Sequence, residues 1–83
     1  MERRLGVVSI LLRDKALVSR VNSLLSDFAH LVLGRMGLPL REKGVNVIAL
    51  IVEGSTDELG ALTGRLGRVE GVSVRSHLTD FKE

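Results

Sequence analysis

The segment Val45-Asn46-Val47-Ile48-Ala49-Leu50-Ile51-Val52 is apolar on both faces of any strand it forms, and this limits the folds open to the chain. Side chains alternate sides along a strand. Val45, Val47, Ala49 and Ile51 take one side; Ile48, Leu50 and Val52 take the other, where Asn46 is the one polar residue. Such a strand has to be covered above and below. The remaining sequence supplies two helices, enough for one face of a sheet. The second face calls for another cover, and a second copy of the same chain is the simplest.

Size points the same way. The chain has 83 residues, the length of one domain, and a domain this small buries only about 60–65% of its unfolded surface. Small domains make up the shortfall with disulfides, metals or association. Cysteine is absent, which removes disulfides, thiolate metal sites and thiol catalysis together and suits a reducing, cytoplasmic setting. Association remains, and the 45% hydrophobic content favours it. No apolar run is long enough for a membrane-spanning helix, so no membrane partner is expected. Arg3 and Arg4 before an apolar run have the outline of a signal peptide. Arg13, Asp14 and Lys15 cut that run short and no small-residue cleavage site follows, so a first strand is expected instead. The net charge is +2, with seven cations and three anions in residues 1–41 against five and seven in residues 42–83. This asymmetry either steers an anionic partner or is a solvated surface; the small net charge favours the second.

The chain reads as a strand-helix-strand unit written twice. Leu5 to Leu12 is apolar on both faces, like the segment above, and should lie beside it. Asp14 is a candidate N-cap for the helix that follows. There, Leu17, Val18, Val21, Leu24, Leu25 and Phe28 form one helical stripe. His30 to Leu40 mixes strand formers with Gly34, Gly37 and Pro39. Proline cannot donate to a ladder, so this strand belongs at an edge or ends near Pro39. Arg41-Glu42-Lys43-Gly44 suits a turn between strands. After the central strand, Ser55 and Glu58 make a capping box. Leu59, Leu62 and Leu66 form the second helix's buried stripe, with Ala61 beside it. Gly60 and Gly64 are poor helix formers; close packing against a neighbour is the expected compensation. Val72 to Leu78 alternates cleanly with Val72 and Val74 inward, and Thr79 to Glu83 is expected to be a frayed tail.

The order is β-α-β-β-α-β. Right-handed crossovers put both helices on one face of a four-stranded antiparallel sheet, with strands one and three central. The fold class is therefore α+β, ferredoxin-like, as a single domain over 1–83 with an ordered core over about residues 4–78. The residues agree with the topology independently. The two-faced apolar strands are the first and third, while the second and fourth carry Arg, His, Ser and Pro.

This topology hosts many functions, so each has to be tested against residues. Base-stacking RNA recognition needs aromatics on the two central strands; the aromatics here are Phe28 and Phe81, on neither. Copper-chaperone chemistry needs a Cys-x-x-Cys. Acylphosphatase-like catalysis needs an Arg near the end of strand one and an Asn on strand three. Arg13 and Asn46 fall near those places, but Leu12-Arg13-Asp14-Lys15 lacks the glycine-rich phosphate cradle. His30 and His77 either hold a metal shared between subunits, for which two imidazoles and no thiolate are a sparse donor set, or are ordinary polar edge-strand residues, the reading favoured. Asp57 and Glu58 are accounted for by the helix dipole. Ser9 reads as a small core residue. No catalytic residue, cofactor or metal site is expected. Gly34-Arg35-Met36-Gly37-Leu38-Pro39 is the unusual stretch. Its two glycines signal a bulge or a close approach, with Arg35 either binding an anion or solvated.

That hexapeptide, with Val47 to Gly54, Asp57 to Gly67 and Gly71 to Val74, resembles a family of short bacterial iron-only hydrogenase system regulators. These are similar to ACT domains and to the C-terminal regulatory domain of the nickel-responsive repressor. The resemblance implies an ACT-like module that assembles into dimers or tetramers. Two features depart from the relatives. The loop after strand one lacks the glycine of amino-acid-binding ACT domains, and the repressor's metal ligands have no counterparts here. Direct nucleic-acid binding is not expected, since the first strand begins near Leu5.

Together these readings predict a non-enzymatic regulatory or sensing module working as a homo-oligomer through its open sheet face or edge strands. A small-molecule effector would sit near Arg13, Asp14, Arg35 and Gly37. The subunit interface would use one face of the central strands, drawn from Val8, Ile10, Val47, Ile48 and Leu50. A ligand-free protein adaptor using an edge strand is the alternative, and an acylphosphatase-like enzyme stands third.

Overall fold

The chain folds as β1 (Arg4–Leu12), α1 (Ala16–Ser26), β2 (Val32–Leu40), β3 (Val45–Gly54), α2 (Thr56–Gly67) and β4 (Val72–Lys82). This is a computed structural model and it describes residues 2–82; Met1 and Glu83 lie outside the described residues. The strands form one antiparallel sheet in the order β2-β3-β1-β4, with the two apolar strands in the centre.

Both helices rest on one sheet face. Val8, Ile10 and Leu12 of β1 and Ile48, Leu50 and Val52 of β3 are buried beneath them, against Val21, Leu24 and Leu25 of α1 and Leu59, Leu62 and Leu66 of α2. Leu17, Val18, Phe28, Val72 and Val74 pack at the margin of this core. The apolar stripes of both helices thus do what their spacing requires.

Local chemistry sets the joints. Ser55 caps α2: its Oγ accepts from the Glu58 N–H at 3.1 Å, and its own N–H donates to Glu58 Oε1 at 2.9 Å. This backbone hydrogen bond holds the Glu58 carboxyl below the usual range, helped by the positive charge of Arg3 and by His30. At α1 the cap sits one residue later than expected. Lys15 is the N-cap, and Asp14 Oδ1 accepts from the Ala16 N–H at 2.9 Å. The β2–β3 connection is a short 3-10 turn over Arg41–Lys43 closed by Gly44 at φ 67°, a left-handed conformation that favours glycine.

Several expectations are corrected. A 3-10 turn at Ala29–Leu31 delays β2 to Val32. β4 runs past Thr79 to Lys82, while Glu83, the last residue of the expected tail, lies outside the described residues. Arg4 Nη2 donates to the Thr79 carbonyl at 2.9 Å, and Thr79 Oγ1 donates to the Leu5 carbonyl at 2.8 Å. Ala61 is exposed, and a Cβ on Gly60 or Gly64 would meet nothing within 4 Å. Those glycines face open space and do not serve close packing. Ser9 is exposed on the sheet's other face instead of lying in the core. Among the described residues no helix is long and apolar enough to cross a membrane.

Candidate functional site

Strand register decides which residues share a face, because directly opposed residues in an antiparallel pair point the same way. Val47 lies between Leu38 on β2 and Leu11 on β1, which is followed by Ser73 on β4. Ile51 lies between Gly34 and Val7, followed by His77. Between these rows run Met36, Ala49, Ser9 and Arg75. These three rows make up the face turned away from both helices. It is apolar across β2, β3 and β1 and polar along β4. Its larger side chains are well exposed: Met36 65%, Leu38 51%, Ile51 43%, Val7 38% and Leu11 36%. A contiguous apolar face of this kind marks an interaction surface in a small protein.

The five residues expected at an interface do not share this face. Val8, Ile10, Ile48 and Leu50 are at most 5% exposed, and they point into the core under the helices. Only Val47 lies on the open face. Alternation along β3 forces this, since residues 47 and 48 cannot point the same way. Beside Val47 the open face carries Val7 and Leu11 on β1, Ala49 and Ile51 on β3, and Met36 and Leu38 on β2. The odd-numbered set on β1 and β3 is visible in the sequence, but only packing says which set the helices take.

The four residues expected around a ligand are also separated. Arg13 lines a cleft of about 450 Å3 at the end of β1, beside Lys15, Pro39, Arg41 and Asn46. Asp14 is engaged with the first turn of α1. Arg35 lies farther along β2 on the helix side, where its Nη2 donates to Asn22 Oδ1 at 2.6 Å. It lines a different cleft with Leu25 and Val32. Gly37, opposite Ile48, faces open space. Of the two glycines in this stretch, Gly34 adjoins the register shift that bends β2. The cations that join Arg13 are Lys15 and Arg41. They were legible in principle: Leu12 pairs with Asn46, so residues just after β1 lie beside those just before β3. Arg13 and Asn46, the pair considered for acyl phosphate chemistry, do line the same cleft, without a glycine cradle.

The histidines are apart. His30 Nε2 lies 3.9 Å from Glu58 Oε2, while His77 stands opposite Val7 on β4. Among the described residues no group of three His, Cys, Asp or Glu side chains could hold a metal ion.

No curated protein matches the chain. Among solved structures, the uncharacterized protein TM1266 from Thermotoga maritima superposes with a TM-score of 0.89 at 32% identity, covering 94% of this chain and 99% of that one. The crystal structure of the ACT domain from the GTP pyrophosphokinase of Chlorobium tepidum gives 0.76 at 22% identity, covering 90% and 99%. The C-terminal domain of the MgtC protein from Mycobacterium tuberculosis gives 0.71 at 15%, covering 93% and 88%. The last two likenesses establish the ACT-like, ferredoxin-like fold alone. The family described as "TM1266-like: Iron-only hydrogenase system regulator, putative" matches residues 4–76. That span holds both helices, the first three strands and the first half of β4, so the chain belongs to the TM1266-like family.

Proposed function

We infer that the chain is a regulatory module of an iron-only hydrogenase system, acting in the cytoplasm as a homo-oligomer whose open sheet faces meet. One observation carries this reading: the apolar face across β2, β3 and β1, which nothing among the described residues covers. Three strands about 4.8 Å apart and about 30 Å long span roughly 430 Å2 in projection, and the polar β4 brings the whole sheet face to about 570 Å2. A standard interface buries about 800 Å2 per partner, roughly one-seventh of the chain's 5446 Å2 accessible surface. Two-fold pairing would also let the polar rows of β4 lie at the rim, where interfaces are polar.

The effector in this reading is a small anion held at the cleft of Arg13, Lys15 and Arg41. That cleft opens at the end of the sheet, where Asn46 pairs with Leu12 and Pro39. Light scattering across protein concentrations tests the oligomer, and thermal-shift screening with Arg13→Gln as control tests the effector. A ligand-independent oligomer would leave a structural adaptor. The catalytic alternative has one observation in its favour, the shared cleft of Arg13 and Asn46. Acyl phosphate turnover that disappears in Arg13→Ala would establish it.

A further inference from the structure

A second cationic cleft, sharing no lining residue with the Arg13 cleft, lies between α1 and the end of α2. It measures about 610 Å3, within the range of small-molecule sites and too small for an extended polymer. Arg20 of α1 and Arg65 and Arg68 at the end of α2 converge on it, with Ser19, Ser23 and Asp27 along the α1 wall. Leu24 and Val69 form its apolar floor. The α1 residues recur at helical spacing, so they form one stripe facing α2.

Three guanidiniums gather here against one carboxylate. Arg65 is already oriented: its Nη2 lies 3.6 Å from Asp27 Oδ2, and its guanidinium sits over the Phe28 ring at 5.6 Å from the centroid. Arg20 and Arg68 make no side-chain hydrogen bond or ion pair with the described residues. Like charges brought together across two packed helices repel, and a multiply charged anion between them relieves that repulsion. All three cations are Arg and none is Lys. Guanidinium forks match phosphoryl oxygens in pairs, whereas an ammonium is a point charge. The hydroxyls of Ser19 and Ser23 on the α1 wall are further donors.

We propose that this inter-helix cleft binds a condensed phosphate, a diphosphate group bridged between Arg20 and Arg68 with Arg65 as the fixed third contact. The inference is independent of the effector cleft at Arg13. Titration calorimetry of the full chain with inorganic pyrophosphate at low salt tests it. Saturable binding of one pyrophosphate per chain is expected. Arg20→Gln with Arg68→Gln should weaken it by about tenfold or more, the value of losing a charge-assisted hydrogen bond. Asp27→Asn should strengthen binding by removing the competing carboxylate, a change no folding defect would mimic. Arg13→Gln with Arg41→Gln should leave it unchanged. ADP binding tighter than pyrophosphate would assign the site to nucleotides, and equal binding would assign it to the phosphates alone; both keep the proposal. Equal affinity for sulfate, unchanged binding in the Arg20 and Arg68 variant, or loss only in the Arg13 and Arg41 variant would overturn it.

Discussion

Adjacent acidic substitutions on β3 should separate folding from assembly. Ile48 is 5% exposed and lies under the helices. Removing a buried Ile side chain destabilises by about 2–5 kcal/mol, and a carboxyl in its place either ionises without a partner or stays protonated with a pKa raised by several units. The sum approaches the whole stability of a domain of 83 residues, about 4–12 kcal/mol. Ile48→Asp should therefore be unfolded. Val47 is half-buried on the open face, between Leu38 and Leu11. In a free subunit an Asp there stays hydrated, and the lost apolar burial amounts to about 1 kcal/mol. Between two sheet faces the same carboxylate is desolvated and unpaired, a penalty of several kcal/mol, with about 1.4 kcal/mol per tenfold in affinity. Val47→Asp should thus dissociate the oligomer by two or more orders of magnitude. Light scattering gives the mass, and urea unfolding followed by circular dichroism gives the stability. If folding depends on association, the Val47→Asp unfolding midpoint will rise with protein concentration. A Val47→Asp protein that keeps the wild-type oligomeric mass would refute the open face as the interface. A wild-type monomer at micromolar concentration would refute association itself.

Three further outcomes are expected. Gly60→Ala and Gly64→Ala should each stabilise by about 1 kcal/mol, since a Cβ there meets nothing; a lower urea midpoint would show that these positions touch something. Gly71→Ala should destabilise by more than about 1 kcal/mol, because Gly71 has φ +91° and a Cβ would lie 2.9 Å from Leu17 Cδ1; an unchanged melting temperature would contradict this. Glu58 titrates below the ordinary glutamate range when folded, so the unfolded chain binds more protons as the pH falls. Its contribution is present above the unfolded value and is lost on acidification through the folded one. The stability difference between wild type and Glu58→Gln, measured by denaturation from neutral to acid pH, should shrink in that window; a difference that grows on acidification reverses the sign.

Much of the fold was legible because local rules and topology agreed. Two-faced apolar strands must be central, Pro39 must lie at an edge, and Ser55 with Glu58 starts a helix. Each of these is a property of a residue or of its near neighbours. The candidate site was less legible because it depends on register and on side. Alternation divides β1 and β3 into odd and even sets without saying which set faces water. The helices decide that, by covering Val8, Ile10, Ile48 and Leu50 and leaving Val7, Leu11, Val47 and Ile51 open. Likewise Arg13 meets Arg41, and Arg20 meets Arg65 and Arg68, because distant segments are folded together. Two central strands apolar on both sides follow from the residues alone. Which of their residues the helices cover, and where the arginines gather, follows from packing, which chooses between sets that alternation makes equivalent.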